Sequence, residues 1–189
     1  DYASEDAIVS LKLYNLLLPR IIREKTRFVY EDIDLNLVNV LSSMETNGIK
    51  IDNKYLKELS DQFEIESNKI ASKIFKISKK EFNIGSPKQL GEILFLDLKI
   101  EGAKKTKTGA FSTDSSTLQD LESRGYEIAK LVLEWREVTK LKSTYTDALQ
   151  EQSIKKTNRV HTSYGIANTL TGRLSSNDPN LQNIPIRTE

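Results

Sequence analysis

The chain has 189 residues, 38% of them hydrophobic and 29% charged, a composition that favours one or two globular domains with a real core. It contains no cysteine and one histidine, which excludes disulfides, a thiol nucleophile and metal sites built from several histidines. The formal net charge is only +1, so a nucleic-acid partner must be inferred from clustered charges. Asp1, Glu5 and Asp6 argue against a signal peptide or membrane span at the start of the chain, and a cytoplasmic location is expected.

Apolar residues recur at helical spacing near the N-terminus. Residues 3 to 18 predict a helix that ends at Pro19, with a second short helix after it. The pattern from Asp32 to Met44 predicts another helix, which ends at Gly48 because glycine favours a left-handed C-terminal cap.

Two start signals follow. Asp52 is placed to cap a long helix that runs to Ile77, and the steps of three and four residues between its apolar positions favour an antiparallel helical pair. Ser86-Pro87 predicts the start of a further helix, with Gln89 completing a capping box.

The rest of the chain changes character. Periodicity disappears between Ile100 and Thr113, which predicts an exposed basic loop. A short helix from about Ser116 and a long one from Tyr126 to Leu149 follow. Residues 160–164 alternate like a strand, and residues 171–183 favour turns. The predicted fold class is mostly α, a helical body with long antiparallel helices, plus a small β portion near the C-terminus.

The turn-rich stretch carries a set of hydrogen-bonding side chains, namely Arg173, Asn180, Gln182 and Asn183. Such donors suit the purine N3 and pyrimidine O2 acceptors of the DNA minor groove, which are nearly the same for every base pair. These contacts would sense correct pairing without reading sequence. The alternative that these residues only build turns stays open on composition alone.

The order of residues from Thr171 to Pro185 closely resembles the segment of family A DNA polymerases, of the bacterial polymerase I type, that opens the palm and touches the primer-template. The resemblance implies that Arg173 lies in the minor groove by the primer terminus. It also implies duplex contacts for Thr169, Asn180, Gln182 and Asn183.

A second stretch, Trp135 to Leu149, resembles the long thumb helix of the same family. Arg136 and Lys140 are four residues apart and therefore lie on one helix face, where they could meet successive phosphates. Lys142 is a weaker candidate. The alternative is an ordinary solvated helix surface.

The basic loop is positioned like the thumb tip that follows the duplex backbone in this family. Lys104, Lys105 and Lys107 are its candidate phosphate contacts, and its glycines and short side chains suit a mobile tip. An ordinary exposed loop explains the same residues.

The chain opens with Tyr2-Ala-Ser-Glu-Asp6, which resembles the third motif of the 3′-5′ proofreading exonuclease, Tyr-x-x-x-Asp. By that resemblance Asp6 is a candidate metal ligand and Tyr2 a candidate water-orienting residue. The other acids of such a site would precede Asp1, so the site is incomplete here. An acid-rich helix N-terminus is the alternative.

The resemblance implies a three-part organisation. Residues 1–26 would end an exonuclease-like domain, residues 27–150 would form the helical thumb with a connecting helix, and residues 151–189 would begin the palm. The parent would be a DNA-directed DNA polymerase of replication and repair, a monomer near the bacterial nucleoid, that uses Mg²⁺ and deoxynucleotide triphosphates. No cofactor is expected on the fragment itself, nor catalysis, because the palm carboxylates and fingers helix would lie beyond Glu189.

Two rival hypotheses remain. One is a non-catalytic DNA-binding module that keeps the thumb and the minor-groove segment. The other is a helical interaction protein whose apolar stripe from Leu56 to Ile77 pairs with a partner chain. His161 on the alternating run is expected to be a packed strand residue rather than a base.

Overall fold

A computed structural model of the chain describes residues 2–106 and 109–185. These residues are mostly helical, with two small antiparallel sheets, which confirms the predicted fold class. They form two compact units. The first unit contains the residues up to Lys50 together with those from Arg159 onward, and the second unit contains Ile51–Asn158.

The first unit consists of two helices and four short strands. Its elements are α1 (Tyr2–Arg23), α2 (Leu35–Asn47), β1 (Ile49–Lys50), β2 (Arg159–Val160), β3 (Ser163–Gly165) and β4 (Ser175–Asn177), and a π-helical turn, Val29–Asp34, leads into α2. Strand β1 pairs with β2, with Ile49 opposite Val160. Strand β3 pairs with β4, with Tyr164 opposite Ser176.

The second unit is helical in its regular elements. These are α3 (Asn53–Ser78), α4 (Pro87–Glu92), α5 (Ser115–Ser123), α6 (Glu127–Lys140) and α7 (Ala148–Gln152). Two π-helical stretches interrupt the series, Ile93–Asp97 after α4 and Leu141–Asp147 between α6 and α7.

The prediction that the first helix ends at Pro19 is wrong. Helix α1 continues through this residue to Arg23, so the expected second short helix is its last turn. A proline removes one helical hydrogen bond, but its fixed φ is compatible with a helix. Continuation also places Leu18 and Ile21, both half-buried, three residues apart on one face.

Helices α3 and the α6–α7 run pack antiparallel, as the apolar spacing predicted. The Oγ of Ser153 donates to Asn53, Ser60 donates to Asp147, and Glu64 pairs with Lys142, so partner numbers fall as α3 advances. The core of the second unit fills this seam. Its most deeply buried side chains are Ile74, Leu90, Ile93, Leu94, Leu118, Leu121 and Val132.

Local capping signals were mostly correct. The Asp52 carboxylate accepts two backbone N–H groups of the first turn of α3, both at 3.0 Å. Ser86 Oγ accepts the Gln89 N–H at 3.5 Å. The other half of the predicted capping box is wrong, since the Gln89 side chain accepts the Asn83 N–H instead. The Ser86 N–H is already bonded to the Asn83 carbonyl and has no need of Gln89.

The long helix predicted from Tyr126 to Leu149 is present, but its segment Leu141–Asp147 is π-helical. Lys142 and Asp147, five residues apart, are brought together by the wider turn at 2.8 Å. Hydropathy spacing could not distinguish this geometry from an ordinary helix.

The alternating run at 160–164 forms two short strands rather than one. The ladder is interrupted at His161 and Thr162. His161 is half-buried, with Nδ1 2.7 Å from the Glu45 carbonyl oxygen, which agrees with a packing role. Over residues 2–106 and 109–185, no helix has the length and apolar content needed to cross a membrane.

Helix α2 ends at Gly48 as predicted, with the Gly48 N–H donated to the Met44 carbonyl at 2.9 Å, but the glycine does not adopt the expected left-handed helical conformation. Its φ of +62° and ψ of −178° form a combination that is essentially restricted to glycine. A Cβ at this position would lie 2.7 Å from the Val160 carbonyl oxygen. A side chain at position 48 would therefore clash with Val160, and its residue would also be held in an unfavourable backbone conformation.

We expect Gly48→Ala to lower the free energy of unfolding by roughly 2 kcal/mol or more, since strain and a clash with backbone act together. Gly125→Ala is the matched control, because φ is +88° there but a Cβ would meet nothing within 4 Å. Urea denaturation followed by circular dichroism measures both. Equal losses in the two variants would show that the Val160 clash is relieved without cost.

Candidate nucleic-acid interface

A pair of buried hydroxyls anchors the turn-rich segment of the first unit. Thr162 Oγ1 lies 2.7 Å from Ser176 Oγ and 2.8 Å from the Pro179 carbonyl oxygen. The Leu181 N–H donates to Ser176 Oγ at 3.1 Å. Ser176 is 1% exposed. These bonds hold both ends of the turn after β4 against β3, so the segment has a defined shape despite its polar composition.

Arg173 and Thr169 lie on the loop between β3 and β4. Thr169 Oγ1 donates to the Arg173 carbonyl oxygen at 2.8 Å, which closes a short turn around Gly172. The Arg173 side chain is exposed. Thr169 therefore shapes the loop, and Arg173 presents its guanidinium to solvent.

The remaining members of the predicted minor-groove set follow β4. Asn180 Oδ1 accepts the Gln182 N–H at 3.0 Å, and Gln182 Nε2 donates to the Leu174 carbonyl oxygen at 2.8 Å. Asn180, Gln182 and Asn183 are all exposed. The structure thus places all five predicted residues on one turn-rich segment, where Thr169, Asn180 and Gln182 also bond to its backbone through their side chains.

Arg136 differs from its sequence-based prediction in its surroundings. Its guanidinium is half-buried and donates to the Thr113 carbonyl at 2.5 Å and to Thr113 Oγ1 at 3.3 Å. Burial lowers the pKa of Arg136 from its ordinary value. Arg136 thus ties α6 to the end of the basic loop, a partner that sequence spacing could not reveal.

Lys140 and Lys142 are unlike each other despite their proximity. Lys140 is exposed. Lys142 is half-buried between Asp147 at 2.8 Å and Glu64 at 3.6 Å, and the bond to Asp147 raises its pKa. Burial of Asp147 opposes ionisation, but bonds from Lys142 and Ser60 together lower its pKa. Lys142 thus joins α3 to the π-helical stretch Leu141–Asp147 within the second unit.

The basic loop is a small hairpin. The Thr106 N–H donates to the Ala110 carbonyl at 2.8 Å, and the Ser112 N–H donates to the Lys104 carbonyl at 2.7 Å. The Phe111 ring packs on Phe95 with ring centroids 5.1 Å apart, which fixes the base of the hairpin to the core. Lys104 and Lys105 are exposed along it, and Lys107 lies outside the described residues.

Asp114 is a site residue that the sequence reasoning missed. Its carboxylate caps α5 by accepting the Thr117 N–H at 2.7 Å and the hydroxyls of Ser112 and Ser116. The Thr117 N–H, first among these donors, lowers the pKa of Asp114 far below its ordinary 3.8. The sequence did contain a signal for this cap, since an Asp three residues before Thr117 can accept its N–H in the first turn of a helix.

No metal centre is assembled by the described residues. Asp6 is exposed on α1, and the side chain of Tyr2 lies outside the described part of the chain. No group of three His, Asp or Glu residues within that part could hold a metal ion. The described residues by themselves therefore do not form a Mg²⁺ site.

The chain is similar to known proteins along nearly all of its length. A family model described as DNA polymerase family A matches residues 53–189. DNA polymerase I of Rhizobium leguminosarum is 48% identical over 187 residues, and DNA polymerase I of Pseudomonas aeruginosa is 44% identical over 189 residues. Each alignment covers 99% of this chain.

A solved structure has the same fold. The POL domain of Pol1 from M. smegmatis, in a complex with DNA primer-template and dNTP, matches 95% of this chain with a TM-score of 0.84 and 37% identity. The chain spans 18% and 21% of the two polymerase I relatives and 31% of that domain. It therefore corresponds to a minor part of each.

We expect Arg136→Gln to release the basic hairpin while the helices remain folded, because a glutamine cannot replace the paired guanidinium bonds to Thr113. A bond to a charged group contributes about 1.5–3 kcal/mol, so the hydrogen-bonded backbone N–H groups of Thr106 and Ser112 should exchange roughly ten-fold faster or more. Amide hydrogen exchange resolves the hairpin from the helices. Lys140→Gln, an exposed position on the same helix face, is the control, and equal exchange in both variants would contradict the clamp.

The Asp114 cap also predicts a pH dependence. Because the pKa of Asp114 is lowered by folding, its contribution is complete above the ordinary value of 3.8 and is lost as pH falls through the lowered value. We expect wild type to melt above Asp114→Asn at pH 6, and the gap to close progressively below about pH 4. Thermal denaturation at constant ionic strength tests this. A gap of constant size down to pH 2 would contradict it.

Proposed function

Because this chain belongs to DNA polymerase family A, we propose that it is the part of a DNA-directed DNA polymerase that holds the primer-template duplex. The parent protein would act in replication and repair synthesis in the bacterial cytoplasm, near the nucleoid, as a monomer. This chain would contribute grip on the duplex through its thumb and the first part of its palm.

One observation carries the proposal: hydrogen-bond donors are exposed on a turn-rich segment whose backbone is fixed by buried hydrogen bonds. The buried Thr162–Ser176 pair fixes the backbone of the segment, while the guanidinium of Arg173 and the amide of Asn183 remain at the surface. Asn180 uses its side-chain oxygen for the turn, which leaves its NH₂ group to face DNA. Donors suit the minor groove, whose base edges offer acceptors at every pair.

The second unit supplies the proposed phosphate contacts. Lys104 and Lys105 extend from the anchored hairpin, and Lys140 is exposed on α6. Arg136 is proposed to contribute in two ways, by holding the hairpin through Thr113 and by adding positive charge beside it. Lys107 completes this set, and Thr169 of the first unit is proposed to contact the duplex beside Arg173.

The boundaries at 1–26, 27–150 and 151–189 remain a prediction. The second compact unit, Ile51–Asn158, overlaps most of the predicted thumb and is proposed as its folded body. Residues 1–26 would then be the end of an exonuclease-like domain in which Asp6 and Tyr2 belong to a larger site.

Catalysis by the parent is proposed to use Mg²⁺ and deoxynucleotide triphosphates at residues outside this chain. The described residues gather no carboxylate cluster of their own. The isolated chain is therefore proposed to bind duplex DNA without extending a primer.

We expect the 189-residue chain to bind a primer-template duplex with an affinity that falls steeply with salt, as backbone contacts require. Arg173→Ala should weaken binding by roughly ten-fold or more, the usual effect of losing one arginine contact at the bases. Fluorescence anisotropy with a labelled duplex measures both.

Arg23→Ala is the control, since Arg23 is an exposed arginine at the end of α1 with no proposed DNA role. The absence of binding by wild type at low salt would overturn the proposal and favour the helical interaction protein. Equal affinity of Arg173→Ala and Arg23→Ala would remove Arg173 from the interface.

A further inference from the structure

The charges of α3 are arranged differently in its two halves. In the first half, Lys54 and Lys57 each lie near an acid one turn later, at 4.0 Å from Glu58 and 2.7 Å from Asp61. Such pairs largely cancel at a distance. This half of the helix presents a mixed surface typical of exposed helices.

After Glu66 the charged residues of the helix are all lysines. Lys69, Lys73 and Lys76 are exposed. The sequence has no Asp or Glu between Glu66 and Glu81. We call Lys69, Lys73 and Lys76 the lysine stripe.

Helical geometry places the lysine stripe on one face. Steps of four and three residues return to nearly the same angular position, and seven residues of helix span about 10 Å. The lysine stripe borders the face that is fixed in the core, where Ile70 is 7% and Ile74 is 0% exposed. Rotation of α3 is thereby prevented, so the stripe points permanently to solvent.

The lysine stripe lies at the end of the second unit that also bears the basic hairpin. Lys80, just after α3, pairs with Asp97, and Ile100, where the hairpin segment begins, is buried in the same core as Ile70 and Ile74. The other end of α3 bonds to Ser153 through Asn53. Two basic features thus converge on one end of the proposed thumb.

We propose that the lysine stripe is a further binding site for the sugar-phosphate backbone of double-stranded DNA, in addition to the hairpin. The inference rests on the proposed function. Duplex DNA carries about one negative charge per 1.7 Å of axis, so a row of three rigidly presented cations can meet several phosphates at once. The site recognises charge and not base sequence.

The surroundings of the stripe favour a nucleic acid over a lipid surface. Membrane-binding basic helices expose apolar side chains beside their lysines. Here every exposed side chain from Asn68 to Lys80 is polar, and Ile65, one turn before Lys69, is a lone exposed aliphatic side chain rather than part of an apolar face.

The experiment compares two triple variants of the 189-residue chain. The test variant carries Lys69→Gln, Lys73→Gln and Lys76→Gln. The matched control carries Lys54→Gln, Lys57→Gln and Lys130→Gln, three exposed lysines that each have an acid one turn later. Both remove three positive charges, and circular dichroism checks that both remain folded.

Binding to a labelled 30-base-pair duplex is measured between 50 and 300 mM salt. We expect the stripe variant to lower the slope of log affinity against log salt by about 2–3, and to weaken binding at 0.1 M salt about ten-fold or more. The control variant should change the slope by less than about 1. Binding to vesicles of phosphatidylglycerol and phosphatidylcholine is measured in parallel.

The outcomes separate the two proposals. Equal slopes for the two triple variants, while wild type binds and Lys104→Gln/Lys105→Gln weakens binding, would overturn the lysine stripe alone. Failure of wild type to bind any duplex would overturn the proposed function together with it. Loss of vesicle binding by the stripe variant with unchanged duplex binding would assign the stripe to a lipid surface and overturn the inference.

Discussion

The antiparallel packing of α3 on the α6–α7 run is the contact on which the second unit depends. Isolated helices are marginal in water, so a 26-residue helix keeps its structure here because one face is buried along its length. Leu90 and Leu94 of the following segment and Leu118 and Leu121 of α5 fill the same core. The hairpin, the Arg136 clamp and the lysine stripe all take their positions from this seam.

The sequence predicted contacts between near neighbours in the chain, such as helix caps, but not contacts between residues that are distant in it. Asp52 and Ser86 correctly predicted helix starts because a cap is a contact between neighbours in the chain. Pro19 was misleading because the fixed φ of a proline is compatible with a helix, so a proline need not end one. The partner of Gln89 and the π-helical form of 141–147 depended on atoms and turns that hydropathy does not encode.

The candidate site divides in the same way. Residue type and order indicated which side chains are candidate DNA contacts, and the resemblance to family A polymerases supplied their predicted roles. What could not be predicted was how cations of similar sequence context differ. Arg136 and Lys142 are bonded to Thr113 and Asp147, whereas Lys140 between them is exposed. Such differences arise from the register of a loop and a helix that meet only after folding.

The buried Thr162–Ser176 hydroxyl pair has a consequence for how the surface can change over evolution. The backbone of the segment after β4 is held mainly by atoms that point inward, including the Leu181 N–H on Ser176. Exposed side chains of this segment that do not bond to its backbone can be exchanged one at a time with little effect on its shape. The buried hydroxyls of Thr162 and Ser176 would thus allow exposed side chains to change during evolution while the backbone shape beneath them is kept.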